Sequence, residues 1–243
     1  MNISLHWRKM GWVAQVITLW MLIPLAACRP TPVPILSNPS CEPPCWKNIR
    51  PGETTKEETV SRLQELREVD PTTITLNGKS WNIFEDAIYF NFKESKLEGR
   101  VYINNGKVSV IEIFCEGGNK ELDVTFDEAV NELGEPEYII NVSISGGLPL
   151  APSTSYIVTA IQPDRGFLFD YDTRYLPKAQ KAELRPENKL RVIGLFDPAF
   201  FNHLLEAGFF SLGRLDASET RKYWIPWDGY GNIAEKYPPV IIK

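Results

Sequence analysis

Two helix starts 70 residues apart, at Thr55 and Thr125, set the architecture open to this chain. Thr54/Glu57 and Thr55/Glu58 both have the spacing of a capping box, in which a hydroxyl and a carboxylate reciprocally bond the free amides of a helix's first turn. Val60, Leu63, Leu66 and Val69 follow at near-helical spacing, and the helix is expected to stop before Pro71, whose ring disfavours helical geometry in the preceding residue. Thr125/Glu128 repeats the box. Phe126, Ala129, Val130 and Leu133 then fall at i, i+3, i+4 and i+7, and Gly134-Glu135-Pro136 ends the second helix.

Each helix is followed by alternating segments of strand character. The first set is Ala87 to Phe92, Gly99 to Asn104 and Lys107 to Cys115. The second is Tyr138 to Ile144, Tyr156 to Ile161, Gly166 to Tyr171 and Leu190 to Phe196, with an irregular insertion from Gly146 to Pro152. Asn104-Asn105-Gly106 is a hairpin signal, because Asn and Gly tolerate the positive φ of a tight type I′ turn. Val108, Val110 and Glu112 point to one face of their strand, and Ser109, Ile111 and Ile113 to the other. Apolar residues on both faces place that strand centrally. The expected class is α+β: two related units of capped helix plus antiparallel meander, at 52–124 and 125–196, with a C-terminal extension over 197–243.

The N-terminus reads as an address. Arg8 and Lys9 precede an apolar run, Met10 to Ala27, that stops at Leu25-Ala26-Ala27-Cys28. Cationic residues stay on the cytoplasmic side, the apolar core enters the translocation machinery, and small residues admit a peptidase before the cysteine. Residues 1–27 are therefore expected to be a lipoprotein signal peptide. Cys28 becomes the mature N-terminus, carrying a diacylglyceryl group on sulfur and a further acyl chain, such as palmitate, on nitrogen. An uncleaved anchor is the alternative, which Gln15, Thr18 and Pro24 weaken. Seven prolines between residues 29 and 51 favour an extended polyproline segment, so 28–51 is expected to be a tether. Either reading puts the folded part outside the cytoplasm, at a cell membrane or an outer membrane.

Removing Arg8 and Lys9 from 26 basic residues against 31 acidic ones gives the mature chain a net charge of −7. With no Lys/Arg run to neutralise a series of phosphates, no nucleic-acid partner is expected. Cys41, Cys45 and Cys115 remain once Cys28 is assigned to lipid, an odd number that permits one disulfide. Cys41-Glu-Pro-Pro-Cys45 is too widely spaced for a Cys-x-x-Cys redox motif and lacks the second pair of a zinc site. Cys41 and Cys45 are the candidate disulfide, with Cys45 to Cys115, or free thiols, the alternatives.

The inventory for catalysis is thin. His203 is the only imidazole after the signal, no Gly-x-Ser-x-Gly elbow is present, and no metal site or cofactor is expected. Glu57/Glu58, Asp127/Glu128 and Glu132/Glu135 sit where helix dipoles and solubility explain them, and Asp170 and Asp172 read as an acidic strand end. The chain is not expected to be an enzyme. In the extension, Pro198 to Leu205 reads as a short helix ending at Gly208. Beyond it, Tyr223-Trp224-Ile225-Pro226-Trp227-Asp228-Gly229-Tyr230-Gly231 offers Trp224, Trp227 and Tyr230 as core packing, a protein interface or a glycan contact.

The stretches Ile49-Arg50-Pro51-Gly52-Glu53-Thr54-Thr55-Lys56-Glu57-Glu58 and Thr125 to Pro136 resemble the "Gly-Met-Thr-x-x-Glu-Val-x-x-x-Leu-Gly-x-Pro" helix of small bacterial envelope lipoproteins, including BamE/SmpA-type subunits of the outer-membrane barrel-assembly machine. The tandem version is similar to the fold of the β-lactamase inhibitor protein, whose two helix-plus-sheet repeats present a concave surface to a partner. Tyr102-Ile103-Asn104-Asn105-Gly106-Lys107-Val108 resembles the hairpin of these domains. The first repeat departs from the pattern, with Val69-Asp70-Pro71 in place of Gly-x-Pro. The resemblance spans roughly residues 47–196 and rests on caps, turns and core. It implies a non-enzymatic protein-binding or envelope-assembly module; a carbohydrate-binding or carbohydrate-processing surface protein is the alternative.

Overall fold

The structure, a computed structural model, describes residues 35–36, 41–78, 83–93, 95–115, 121–146, 153–173, 182–209 and 217–241. The chain divides between residues 33 and 34, and every described residue lies in the second unit. The signal segment and Cys28 lie outside the described residues, as do residues 147–152 of the insertion.

Both helix starts form. In α1 (Lys56–Glu65) the Glu58 amide donates to Thr55 Oγ1 and the Thr55 amide donates to Glu58 Oε2, at 3.3 and 2.9 Å. The Thr55 amide, and the Thr55 hydroxyl donating to the same Oε2 at 3.1 Å, hold the Glu58 carboxyl below its usual range. In α2 (Phe126–Leu133) the same reciprocal pair joins Thr125 and Glu128. Gly134, at φ +104°, closes α2 by donating its amide to Val130 O, and an added Cβ there would meet Arg165 Nη1 at 2.0 Å.

The strands are β1 (Val69–Gly78), β2 (Asp86–Phe92), β3 (Leu97–Asn104), β4 (Lys107–Cys115), β5 (Tyr138–Gly146), β6 (Ser153–Gln162), β7 (Phe167–Asp172), β8 (Glu183–Leu184), β9 (Val192–Phe196), β10 (Ile225–Pro226), β11 (Gly231–Asn232) and β12 (Val240–Ile241). The main sheet runs β1-β2-β3-β4-β9-β7-β6-β5-β10, with β12 also on β5. Its neighbours are antiparallel except the β5–β12 pair. β4 sits in the interior, as its two apolar faces predict, and Asn105 and Gly106 turn the β3–β4 hairpin at φ +50° and +70°. A bulge follows: Ile103 pairs with Val108, but Tyr102 pairs with Val110.

The sequence pattern misses β1. Pro71 argues against a strand interior, yet it is accommodated because β1 is an outer strand whose register slips between Asp70 and Thr75, where no ladder donor is required. The tether expectation also needs correction at its C-terminal end. Ile35, Cys45, Trp46 and Ile49 are buried; Trp46 Nε1 donates to Ile35 O at 2.9 Å, and the Trp46 ring packs against those of Phe90 and Phe92, which also touch each other. Apolar side chains spaced among prolines can be buried without a helix or strand, so these residues belong to the folded body.

One sheet face, carrying Phe90, Ile111, Ile113, Phe169 and Ile193, is covered by the helices and by the Trp46 segment. Thr59 and Leu63 of α1 and Phe126, Ala129 and Leu133 of α2 are the buried helix residues. A void on this face between Trp46, Leu133 and Ile111 has a volume of about 10 Å³, room for no more than a water. The opposite face carries Ala87, Tyr102, Val110, Phe196, Leu168 and Ile161, which pack under Phe84 and under α3 (Phe201–Glu206) with its Phe201, Leu204 and Leu205. A 3₁₀ turn, Pro198–Phe200, leads into α3, capped by Asp197 Oδ1 accepting from the Ala199 amide at 2.9 Å.

After α4 (Ala217–Lys222) the C-terminal extension wraps the β5 edge. β10 pairs antiparallel with Tyr138 and Ile139, α5 (Ile233–Lys236) follows β11, and β12 pairs parallel with Val142 and Ser143. Asn141 Nδ2, fully buried, donates to Tyr237 O at 2.6 Å and pins the segment between those two short strands. An edge that would otherwise offer free amides and carbonyls to another chain is thereby closed.

Candidate functional site

The α3 cover protects the apolar part of its sheet face; next to it the same face carries charge. In register across β2, β3, β4 and β9 stand Tyr89, Arg100, Glu112 and Gly194, and one step along the strands Phe114, Val192, Asp170 and Thr159 run across β4, β9, β7 and β6. Alternation puts both rows on one face. Tyr89, Arg100, Glu112, Thr159, Asp170 and Arg191 are all half-buried.

The charged side chains of this array have polar or aromatic neighbours. The Tyr102 hydroxyl donates to Glu112 Oε2 at 2.8 Å, and the Arg100 guanidinium also interacts with that hydroxyl. Arg100 Cζ lies 4.3 Å from the centre of the Phe114 ring and 5.6 Å from that of Tyr89, within cation–π range of both. On the other side Thr159 Oγ1 donates to Asp170 Oδ1 at 2.7 Å, and Arg191 bridges Asp170 at 3.3 Å and Asp172 at 3.7 Å. The Asp172 side chain is fully covered, whereas Asp170 and Arg191 retain 15% and 18% exposure, so the Arg191–Asp170 pair is reachable from outside. Gly194 leaves room beside Glu112 for Leu168, which an added Cβ would meet at 2.9 Å.

Desolvation dominates the acids. It raises the Glu112 carboxyl above its usual range, against the lowering effects of Tyr102 and Arg100, and it raises Asp170 against Arg191 and Thr159. Burial likewise raises the Tyr102 hydroxyl, which stays protonated and donating. The Nε atoms of Arg100 and Arg191 are buried without a partner. The arrangement is a rigid plate of guanidinium, aromatic and carboxylate groups carried on strands; of these, arginine and the aromatics are the types enriched at recognition surfaces.

The residues singled out from sequence lie elsewhere. Cys41 and Cys45 are joined by a disulfide, and Cys115 is buried with its thiol donating to Glu121 O at 3.1 Å. That disulfide borders an open cleft of about 400 Å³ with Arg50, Glu53, Glu58 and Arg62, in which Arg50 pairs with Glu53 and Arg62 bonds Asn48 O. Trp224 packs on Tyr138 and Phe201, with centroids 5.2 and 5.5 Å away. Trp227 stacks nearly parallel to Phe126 at 5.6 Å and to Tyr237 at 6.1 Å. Tyr230 meets Trp227 and Phe126 edge-on, and its hydroxyl reaches Asp127 Oδ1 at 3.4 Å. These rings are not brought into one row; their faces are engaged by other rings of the protein. His203 lies beside Phe200, and Asp170 and Asp172 serve the Arg191 pairing.

Sequence reasoning overlooked Arg100, Glu112 and Arg191. A signal for the first two existed, since the Asn-Gly turn fixes the hairpin; a turn-based count, however, places Ile111 opposite Arg100, and the bulge moves Glu112 there instead. Among the described residues no cluster of His, Cys, Asp and Glu is placed to hold a metal ion, and no helix is long and apolar enough to cross a membrane. No protein-family model, curated protein or solved structure matches the chain.

Proposed function

We propose that this chain is a lipid-anchored, extracytoplasmic binding module of the cell envelope that recruits a protein partner and carries out no reaction itself. The acyl group on Cys28 fixes the location, the proline-rich residues after it set the reach, and the Arg100–Glu112–Asp170–Arg191 plate is the docking surface. The observation that carries this reading is the uneven cover of one sheet face: α3 and its neighbours take the apolar part, and a charged, aromatic-flanked plate beside it remains half-buried. Guanidinium and aromatic groups held rigidly on strands lose little entropy when a partner seats on them.

In the same reading the two halves are related units meeting at β4 and β9. The backbone pattern at the two helix starts supports it. Val108 N donates to Thr54 O and Lys56 N to Gly106 O; correspondingly Leu190 N donates to Val124 O and Phe126 N to Asn188 O. Thr55 bridges Lys107 as Thr125 bridges Lys189. An assembly role of the BamE/SmpA kind fits two such units with a shared sheet.

The test is photo-crosslinking in cells from residue 89, in the plate, against residue 132 on the exposed side of α2, followed by mass spectrometry. One stoichiometric protein adduct from residue 89 alone, lost in Cys28→Ala, is the expected result. No adduct, equal adducts from both positions, or only glycan fragments refutes the docking surface.

A further inference from the structure

The two outer strands of the main sheet are finished differently. β5 is closed by β10 and β12, whereas β1 pairs with β2 alone among the described strands. After its irregular stretch β1 runs regularly from Thr75 to Gly78, opposite Tyr89, Ile88, Ala87 and Asp86. Natural edge strands are protected by lysine, proline, inward charges or a bulge. Here proline and the register slip protect only the Asp70–Thr75 half; Thr75-Leu76-Asn77-Gly78 carries no charge. Leu76, opposite the buried Ile88, is 56% exposed and is the most exposed large hydrophobic residue described.

We infer that the β1 edge is a self-association site, on which a second copy of this chain adds its own β1 antiparallel about a two-fold axis at Leu76. A two-fold contact must be self-complementary. With the axis at Leu76, the exposed leucine meets its counterpart and Thr75 lies opposite Asn77 of the other copy. No like charges are juxtaposed over the paired residues, as they would be across an edge guarded by lysine, so the neutral edge fits a copy of itself. The slip between Asp70 and Thr75 ends the pairing on each side, which makes the contact short and favours copies held on one surface. The β1 edge adjoins the Tyr89 end of the plate, since Thr75 pairs with Tyr89, but the contact is made by the outer backbone of β1 and does not depend on the plate's partner.

The test uses the full-length, lipidated protein in cells. Leu76→Cys places one thiol per copy at the axis, where antiparallel neighbours have Cα atoms about 4.5–5.5 Å apart, within the roughly 4.4–6.8 Å span of a disulfide. Copper-phenanthroline oxidation is expected to yield a dimer of twice the monomer mass on a non-reducing gel, and Glu132→Cys, on α2, is expected to yield none. Adding Asn77→Lys to Leu76→Cys is expected to reduce the dimer about tenfold, equivalent to about 1.4 kcal/mol. Co-purification of two differently tagged copies with native Leu76, weakened by Asn77→Lys, gives a cysteine-free readout. Absence of the dimer, equal dimer from both cysteine positions, insensitivity to Asn77→Lys, or crosslinking to a different protein overturns the inference.

Discussion

Replacing Trp227 by alanine distinguishes a packed indole from a ligand platform. The Trp227 ring stacks on Phe126 with planes 16° apart and on Tyr237 with planes 5° apart, and meets Tyr230 edge-on at 5.5 Å. Phe126 is fully buried at the start of α2, so removing the indole strips cover from the second helix as well as from the C-terminal segment. Full burial of an aromatic is lost at about 3–5 kcal/mol on truncation, and Trp227 is only half-buried, which scales the packing loss to about 2 kcal/mol. Taken at the low end of the usual range, about 0.5 kcal/mol each beyond area, the three aromatic pairs bring the total to about 3.5 kcal/mol. For a domain of about 200 residues this lowers the melting temperature by roughly 7–14 °C. Thermal unfolding followed by near-ultraviolet circular dichroism measures it, with Tyr223→Ala, exposed at 39%, as a control expected within about 0.5 kcal/mol of wild type. An unchanged melting temperature together with loss of saturable glycan binding would refute the packing argument and return Trp227 to the role of a sugar platform.

Gly99→Ala forces a Cβ to within 2.0 Å of the Phe90 ring, which is itself held against Trp46 and Phe92, so it is expected to cost about 1–3 kcal/mol in urea unfolding. In a Phe90→Ala background that cost should disappear, and strict additivity would contradict the Phe90–Gly99 register. Asn141→Ala leaves Tyr237 O without its buried donor and is expected to destabilise the protein by about 1–3 kcal/mol; earlier cleavage within residues 217–241 under limited proteolysis checks this. The folded carboxyl of Glu112 is raised above its unfolded value, so the native state binds the extra proton and loses stability as pH rises through the folded range. Glu112→Gln keeps an acceptor for the Tyr102 hydroxyl and removes the buried charge. Its melting temperature is expected to be at or above that of wild type near about pH 8, with the advantage shrinking toward about pH 4.5; an advantage that grows on acidification would contradict the desolvation argument.

Local chemistry was legible from sequence wherever neighbouring residues decide the outcome. Two threonine–glutamate boxes, the Asn105-Gly106 turn, the glycine closing α2 and the interior place of β4 all follow from caps, φ preferences and alternation over a few positions. β1 escaped because its proline is harmful only in a paired strand, and whether a strand lies at an edge is a property of the whole sheet. Trp224, Trp227 and Tyr230 stood out by composition, but no local pattern says that Trp227 meets a phenylalanine 101 positions earlier, at Phe126.

The charged plate shows the division most clearly. Sequence alone determined that residues 100–114 form a hairpin and that Arg100 and Glu112 belong to it. Tertiary structure decided that they stand side by side, because one bulged residue between the Ile103–Val108 and Tyr102–Val110 pairs shifts the register and exchanges Ile111 for Glu112 opposite Arg100. It also decided that Asp170, Thr159 and Arg191 share their face, since β4 reaches β7 only through β9, a strand nearly 80 residues further along the chain. Capping and turn energies are local and written in adjacent residues; register and strand order are set by burying both faces of one sheet at once, a condition that no short stretch of sequence contains.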